Sequence, residues 1–206
     1  MGVHKRDIMV DRVGEASDSQ KEAKQQFLTA MEQFKSVVSF QGGDLEKEYN
    51  RLNATLKKTE AGAANVRHRI DAVEDVSLAL FSEWRAEIKQ YSSDSLRRAS
   101  QRKYDLTESK YEELIRAMNK AESKLEPALV PLRDQGLFIK HNLNARAIAG
   151  LSDEVISVQI NVDRLARDME SAIAEAGAPV AARGRHGLCR DLSRCIGDAV
   201  TKWVNM

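Results

Sequence analysis

Aromatic residues, prolines and cysteines are scarce in this sequence, and these shortages narrow the class of fold. Phe, Trp and Tyr make up 5% of the chain, which has three Pro and two Cys against 31% charged residues. This composition suits long helices with solvated outer faces and argues against a sandwich or a doubly wound sheet. Long apolar runs are also missing, so the sequence contains neither a transmembrane segment nor the hydrophobic region of a signal peptide.

Neither sign of charge is in large excess, but charge is unevenly distributed. The formal net charge is +1, which gives no global field favouring nucleic acid or another polyanion. Residues 177–206 hold five basic and two acidic side chains, a net charge of +3 that leaves −2 for residues 1–176. Both cysteines, Cys189 and Cys195, lie there without ligand-spaced His, which is weak evidence for a metal. We interpret 177–206 as a weakly structured basic tail.

A long, mostly apolar seam is the most informative feature that is present. Its residues recur alternately every four and three positions, with one Gly and no Pro among them. A 3.5-residue repeat predicts a coiled-coil helix that buries one narrow stripe, and at ~1.5 Å per residue this helix is roughly 70 Å long. The seam consists of Leu45, Tyr49, Leu52, Leu56, Thr59, Ala63, Val66, Ile70, Val73, Ser77, Leu80, Trp84, Glu87 and Tyr91.

Three further helices are predicted from similar seams, at about Asp7–Phe40, Leu96–Asn142 and Asn144–Ala176. Pro127 and Pro131 predict a bend in the third helix, or its division into two shorter ones. Since short turns favour antiparallel neighbours, we predict an all-α fold over residues 1–176. It is an elongated antiparallel coiled-coil bundle of about four long helices. The longer helices two and three overhang as an exposed arm or pair with another subunit.

Patterns that carry catalysis or bind metals are absent. None of the four His follows a Glu by three positions, as di-iron bundles require, and no nucleophile elbow, phosphate loop or zinc-protease motif occurs. An acidic trio, Asp71, Glu74 and Asp75, has Arg67 and Arg69 nearby, so we interpret it as a solvated, ion-paired face rather than a cation site. We predict no enzyme activity, no catalytic or metal-binding residue and no cofactor.

A polar stretch between the third and fourth helices is one candidate interaction surface. Our register places Asn142 and Asn144 at seam positions, where a buried polar side chain can fix register and partner choice. Either the Asn side chains satisfy the helix ends and His141 packs against them, or the stretch is a docking epitope for a partner protein. We favour the structural role. The candidate residues are His141, Asn142, Asn144 and Arg146.

A basic cluster near the start of the third helix is the other candidate. Clustered basic side chains on an exposed helix can bind anionic lipid or nucleic acid. Asp94, Asp105 and Glu108 flank the cluster, however, and aromatic residues for base stacking are missing apart from Tyr104. We therefore favour a solvated face. The cluster consists of Arg97, Arg98, Arg102 and Lys103.

Several stretches, spread over about residues 2–176, carry a resemblance to a known family. They are Gly2-Val-His-Lys-Arg-Asp-Ile-Met-Val-Asp-Arg-Val13, Gly42-Gly43-Asp44-Leu45, Arg69-Ile-Asp-Ala-Val-Glu-Asp-Val76 with Leu80, Phe81 and Trp84, Tyr91-Ser-Ser, Leu96-Arg-Arg98, Leu114-Ile-Arg-Ala-Met118 and Lys140-His-Asn-Leu-Asn-Ala-Arg-Ala147. In their residues and in their order along the chain, these stretches resemble an uncharacterised family of bacterial envelope proteins, domain of unknown function 2959.

The resemblance implies a location but no activity. Members look like lipoproteins, with a signal peptide and a lipidated Cys ahead of the Gly2 stretch, which implies the periplasm or cell envelope. This chain begins where that segment would already have ended. We therefore expect either a truncated amino end or a version without the anchor. The tail beyond Gly177 does not match the usual short ending of the family, which indicates an addition or a reading-frame error.

From the residues and the resemblance together we predict a non-enzymatic structural or interaction scaffold of the cell envelope. It binds a protein partner or self-associates, as in a homodimer, it binds no nucleic acid, and only its relatives reach a membrane through a lipid anchor. The alternative is a membrane-shaping module like the BAR-type dimers, binding anionic lipid. That alternative needs a basic concave face, at about 1 kcal/mol per Lys or Arg, whereas residues 1–176 carry −2.

Overall fold

A computed structural model describes residues 5–40, 44–144, 147–148 and 150–177, and the regular elements in these ranges are α-helices. The predicted third helix is present as two consecutive helices, so the described chain matches the four long helices that the sequence predicts. The prediction of an all-α helical bundle is therefore confirmed. The helices are α1 (Lys5–Val38), α2 (Leu45–Ile88), α3 (Asp94–Glu122), α4 (Leu125–His141) and α5 (Ser152–Gly177).

Helices α2 and α3 each begin at a side-chain cap. The Asp44 carboxylate accepts a hydrogen bond from the Lys47 N–H at 3.0 Å, and Glu46 and Glu48 lie in the first turn of α2, where the helix dipole favours negative charge. The Ser93 hydroxyl accepts from the Leu96 N–H at 3.5 Å at the start of α3. These caps end the preceding turns and so set the hairpins of the bundle.

The predicted seam of α2 forms the centre of the core. Its members from Tyr49 to Leu80 are buried, while Trp84 is half-buried and Ile88 takes the buried position that the repeat assigns to Glu87. Phe27 and Phe34 of α1, each 1% exposed, lie in the same core cluster. That cluster draws residues from all five helices and is the main core of the described bundle.

The ends of α2 and α3 project as the predicted arm, which we define as residues 77–111. Phe81, Ile88 and Tyr104 form a second core cluster, joined by Trp84 and Tyr111, and all five residues lie on α2 or α3. The Tyr104 ring stands edge-on to Phe81 and Trp84, at centroid distances of 5.6 and 5.7 Å. Aromatic packing between α2 and α3 thus stabilises the arm, and an ion pair between Lys5 of α1 and Glu83 at 2.9 Å ties its base to the rest of the bundle.

The third predicted helix is divided rather than bent. α3 ends at Glu122 and α4 begins at Leu125, with a turn at Ser123–Lys124. Pro127 is the third residue of α4 and lacks the N–H that would bond to the Ser123 carbonyl, so a continuous helix would leave that carbonyl unpaired. Pro131 lies inside α4.

The predicted last helix is interrupted near its start. The sequence predicts one helix from Asn144, whereas Ala147 and Ile148 are helical and the long helix α5 begins separately at Ser152. The Leu151 N–H bonds to the Ile148 carbonyl at 3.0 Å, which closes a turn. Asp153 and Glu154 then stabilise the first turn of α5. The predicted tail, with Cys189 and Cys195, lies outside the described residues beyond Gly177.

Candidate interaction surfaces

The predicted basic cluster lies at the tip of the arm, which we define as residues 89–106. Arg97 is held by its neighbours, since its guanidinium lies 3.2 Å from the Asp94 carboxylate and donates to the Tyr91 carbonyl at 2.8 Å. Arg98, Arg102 and Lys103 are exposed, and they make no ion pair or hydrogen bond with the described part of the chain. Three of the four predicted residues are therefore available to a partner.

The acids that flank the cluster in sequence are engaged elsewhere. Asp105 accepts a hydrogen bond from the Gln101 amide at 2.7 Å. Glu108 accepts from the Tyr104 hydroxyl at 2.5 Å and lies 3.3 Å from the Arg85 guanidinium. These bonds hold Glu108 on the inner side of the arm, so it does not neutralise the cluster. Asp94 remains paired with Arg97 of the cluster, so the solvated face stays a prediction.

Tyr104 joins the aromatic cluster of the arm to this polar network. The Arg85 guanidinium donates to the Tyr104 hydroxyl at 2.6 Å and lies 5.5 Å from the ring centroid. Burial, reinforced by the hydrogen bond to Glu108, raises the pKa of Tyr104, while Arg85 opposes that rise. The phenol therefore stays neutral and donates to Glu108. It turns inward and offers no exposed ring for stacking.

The polar stretch after α4 behaves as a helix end. The Asn142 amide donates to the Phe138 carbonyl at 2.9 Å, and its backbone N–H bonds to the Ile139 carbonyl at 3.1 Å. The seam position predicted for Asn144 is wrong: the residue is exposed, because α4 ends at His141 and the heptad register ends with it. His141 is exposed, and the side chain of Arg146 lies outside the described residues.

Sequence reasoning missed the exposed apolar side chains near this helix end. Six of the nine large hydrophobic side chains exposed in the described ranges lie between residues 130 and 160. The sequence could have indicated them, because they are apolar residues that lie outside the heptad seam. Ile156 and Ile160, four residues apart, are an example. We call this set the apolar end; it consists of Val130, Leu137, Phe138, Leu143, Ile156 and Ile160.

A buried polar side chain does occur in a seam, but on α1 rather than beside α4. Gln20 is 0% exposed, and neither its amide nitrogen nor its amide oxygen has a hydrogen-bond partner among the described residues. It occupies the seam position between the buried Ala16 and Ala23. A polar residue at such a position restricts helix register at a cost in stability. Gln20 is therefore a candidate for the register-fixing role considered for Asn142 and Asn144.

In the acidic trio on α2, Asp71 and Asp75 are exposed and Glu74 is half-buried. Glu74 accepts a hydrogen bond from the Asn119 amide at 2.9 Å. Asp71 lines a cleft of ≈ 190 Å³ between α2 and α3, together with Arg67, Asn119 and Glu122. Nowhere in the described ranges do three or more His, Cys, Asp or Glu side chains come together as metal ligands would. The trio belongs to a hydrogen-bonded polar face.

The nearby arginines pair across helices rather than with the trio. Arg69 binds Glu15 of α1 at 2.7 Å, and Arg67 binds Glu122 of α3 at 2.8 Å and Glu126 of α4 at 3.2 Å. The hydrogen bond from Arg67, the largest effect, holds the pKa of Glu126 below its ordinary value; burial opposes it, and a weaker contribution from Arg133 adds to the lowering. The pairs therefore join both pieces of the divided helix to α2.

Together these features define a class of protein: an elongated helical bundle with a basic tip and an apolar end. Among its described helices, none combines the length and apolarity that a membrane span needs. Residues 1–182 match the family described as "Protein of unknown function (DUF2959)", and the chain belongs to that family. No curated protein and no solved structure matches the chain.

Proposed function

We infer that this protein is a non-enzymatic structural or interaction scaffold, a rod that presents its surfaces to other proteins. The observation that carries this inference is the apolar end, where six large hydrophobic side chains stay exposed although the core clusters are well filled. Apolar side chains grouped at one end of a surface mark a place where another protein packs. A bacterial envelope location is part of the proposal, and its support is the likeness of the quoted stretches.

A second copy of the chain is the partner that the apolar end suits best. Ile156 and Ile160 are 63% and 51% exposed and lie one turn apart on α5, so they form a short second stripe opposite the buried seam. The same stripe on another copy is complementary to it in chemistry, as a two-fold interface requires. Val130 and Leu137 extend the apolar surface on α4, which packs against α5.

Light scattering after size-exclusion chromatography tests this proposal on the full chain over a range of concentrations. We expect a dimer that Ile156→Lys together with Ile160→Lys converts to a monomer. The matched control is Leu78→Lys with Leu106→Lys, which places two charges on exposed leucines of the arm and should leave the dimer intact. A monomeric mass for the unaltered chain at every concentration contradicts self-association, and equal loss in both variants contradicts the assigned surface.

The alternative, a membrane-shaping BAR-like module, requires basic side chains along a concave face. Unpaired basic side chains occur on the body as well, but the densest group of them, with Arg98, Arg102 and Lys103 within six residues, lies at the tip of the arm. This position favours contact with lipid through one end of the rod over contact along its length.

A further inference from the structure

Four basic side chains at the tip are not neutralised by the fold. Lys89, Arg98, Arg102 and Lys103 are exposed and form no ion pair or hydrogen bond with the residues described. The acids of the tip are Asp94, which binds Arg97, and Asp105, which accepts from Gln101. With five basic and two acidic residues, the tip carries a net charge of +3. It is thus a compact positive surface at one end of the molecule.

Exposed leucines lie among these cations. Leu96, in the first turn of α3, is 46% exposed, and Leu106, about three turns further along, is 57% exposed. A surface that mixes exposed Leu with long basic side chains suits the boundary of a bilayer, because the apolar groups enter the interface while the charged ends reach the headgroups. Nucleic acid fits less well, because Tyr104 is 3% exposed and faces the core of the arm, which leaves Tyr91, itself only partly exposed, as the other aromatic residue of the tip.

The charge of the rest of the molecule indicates how the rod would be oriented on an anionic surface. Residues 1–176 carry −2 in total, so the part outside the tip carries −5. Laying the rod flat on an anionic surface would bring that negative body against like charge, whereas end-on contact presents the tip alone. We propose that the tip binds the anionic headgroups of a lipid bilayer end-on and holds the rod away from the membrane. This binding does not depend on self-association at the apolar end.

Co-sedimentation of the full chain with vesicles tests the proposal. Vesicles of phosphatidylcholine are compared with vesicles that also contain phosphatidylglycerol, at low and moderate salt. The tip variant carries Arg98→Gln, Arg102→Gln and Lys103→Gln. Its matched control carries Lys57→Gln, Arg164→Gln and Arg167→Gln, three exposed body cations without a partner in the described ranges. Both variants keep residues 177–206 and lose the same charge, so the basic tail contributes equally to each.

We expect salt-sensitive pelleting with the anionic vesicles only. The affinity for anionic vesicles should fall about fivefold per cation removed, or about a hundredfold for the tip variant. The control variant should keep its affinity. Equal loss in both variants, or no pelleting of the unaltered chain, overturns the proposal. Binding to a labelled oligonucleotide without vesicle binding overturns it in favour of nucleic acid. Pelleting abolished by inorganic phosphate at constant ionic strength would replace the bilayer with a free-phosphate site. Circular dichroism confirms that both variants are folded.

Discussion

Gln20 is a buried residue whose side chain lowers stability. Its amide is 0% exposed and lacks a hydrogen-bond partner in the described structure, so folding loses its bonds to water without replacing them. We expect Gln20→Leu, which has similar volume and no polar atoms, to raise the free energy of unfolding by about 1–2 kcal/mol. Urea denaturation followed by circular dichroism measures this change.

The exposed neighbour Gln25 provides the control for that substitution. Gln25→Leu changes the same chemistry at an exposed position of α1 and should leave stability within about 0.5 kcal/mol of the unaltered chain. A loss of stability in Gln20→Leu would mean that the buried amide is satisfied, and the role in register assigned to it would be wrong.

Two helical glycines should respond oppositely to replacement by alanine. A Cβ on Gly14 would meet nothing within 4 Å, whereas a Cβ on Gly136 would lie 2.7 Å from Cδ1 of Leu56, a buried side chain. Gly14→Ala should therefore gain about 1 kcal/mol from helix propensity. Gly136→Ala should lose stability, because overpacking costs about 1–3 kcal/mol and exceeds that gain. Thermal unfolding compares the pair, and a gain in both would show that Leu56 moves aside freely.

At the scale of the helices, periodicity predicts the elements more reliably than their ends. The seams of α1 and α2 coincide with their buried residues because a 3.5-residue repeat follows directly from burial of one stripe. The break before α5 was missed because Ile148, in a helical stretch, and Leu151, in the turn that follows it, keep the heptad spacing and are both buried. Spacing alone does not reveal a turn between two helical stretches.

The ion pairs around Glu126 should make the divided helix sensitive to acid. Arg67 and Arg133 lower the pKa of Glu126, so its stabilising effect is present above its unfolded pKa and is lost as the pH falls through the lower folded value. We expect Glu126→Gln to reduce the urea midpoint at neutral pH. The difference from the unaltered chain should disappear at a pH below the folded pKa, where both side chains are neutral.

Salt and a second carboxylate provide the controls for Glu126. The pairs are partly exposed, so added salt should shrink the neutral-pH difference. Glu32→Gln removes an exposed carboxylate that has no ion pair in the described ranges and should leave the midpoint unchanged. A Glu126→Gln effect that is the same at both pH values would contradict an electrostatic cause and would indicate lost packing instead.

At the scale of the whole molecule, the arm was predictable, but the apolar end and the lack of partners for basic side chains at the tip were not. Helix lengths alone show that α2 is longer than its neighbours. Whether Arg98 and Arg102 are ion-paired, however, depends on which side chains the flanking acids Asp105 and Glu108 bind. Such pairs form between different helices, as when Glu108 of α3 binds Arg85 of α2. They cannot be read from a single sequence. The apolar end was equally hidden, because its residues lie outside the seam.

The bundle should scatter X-rays as a rod. The 44 residues of α2 span ~66 Å at 1.5 Å per residue, and the arm extends beyond the main core. A compact chain of this length has a radius of gyration of about 17 Å. We therefore expect a clearly larger value, above about 20 Å, from small-angle scattering of the full chain. The Ile156→Lys, Ile160→Lys variant should keep the length and reduce the cross-section if copies pair side by side. A value near that of a compact chain would contradict the projecting arm, and with it a tip held clear of the body.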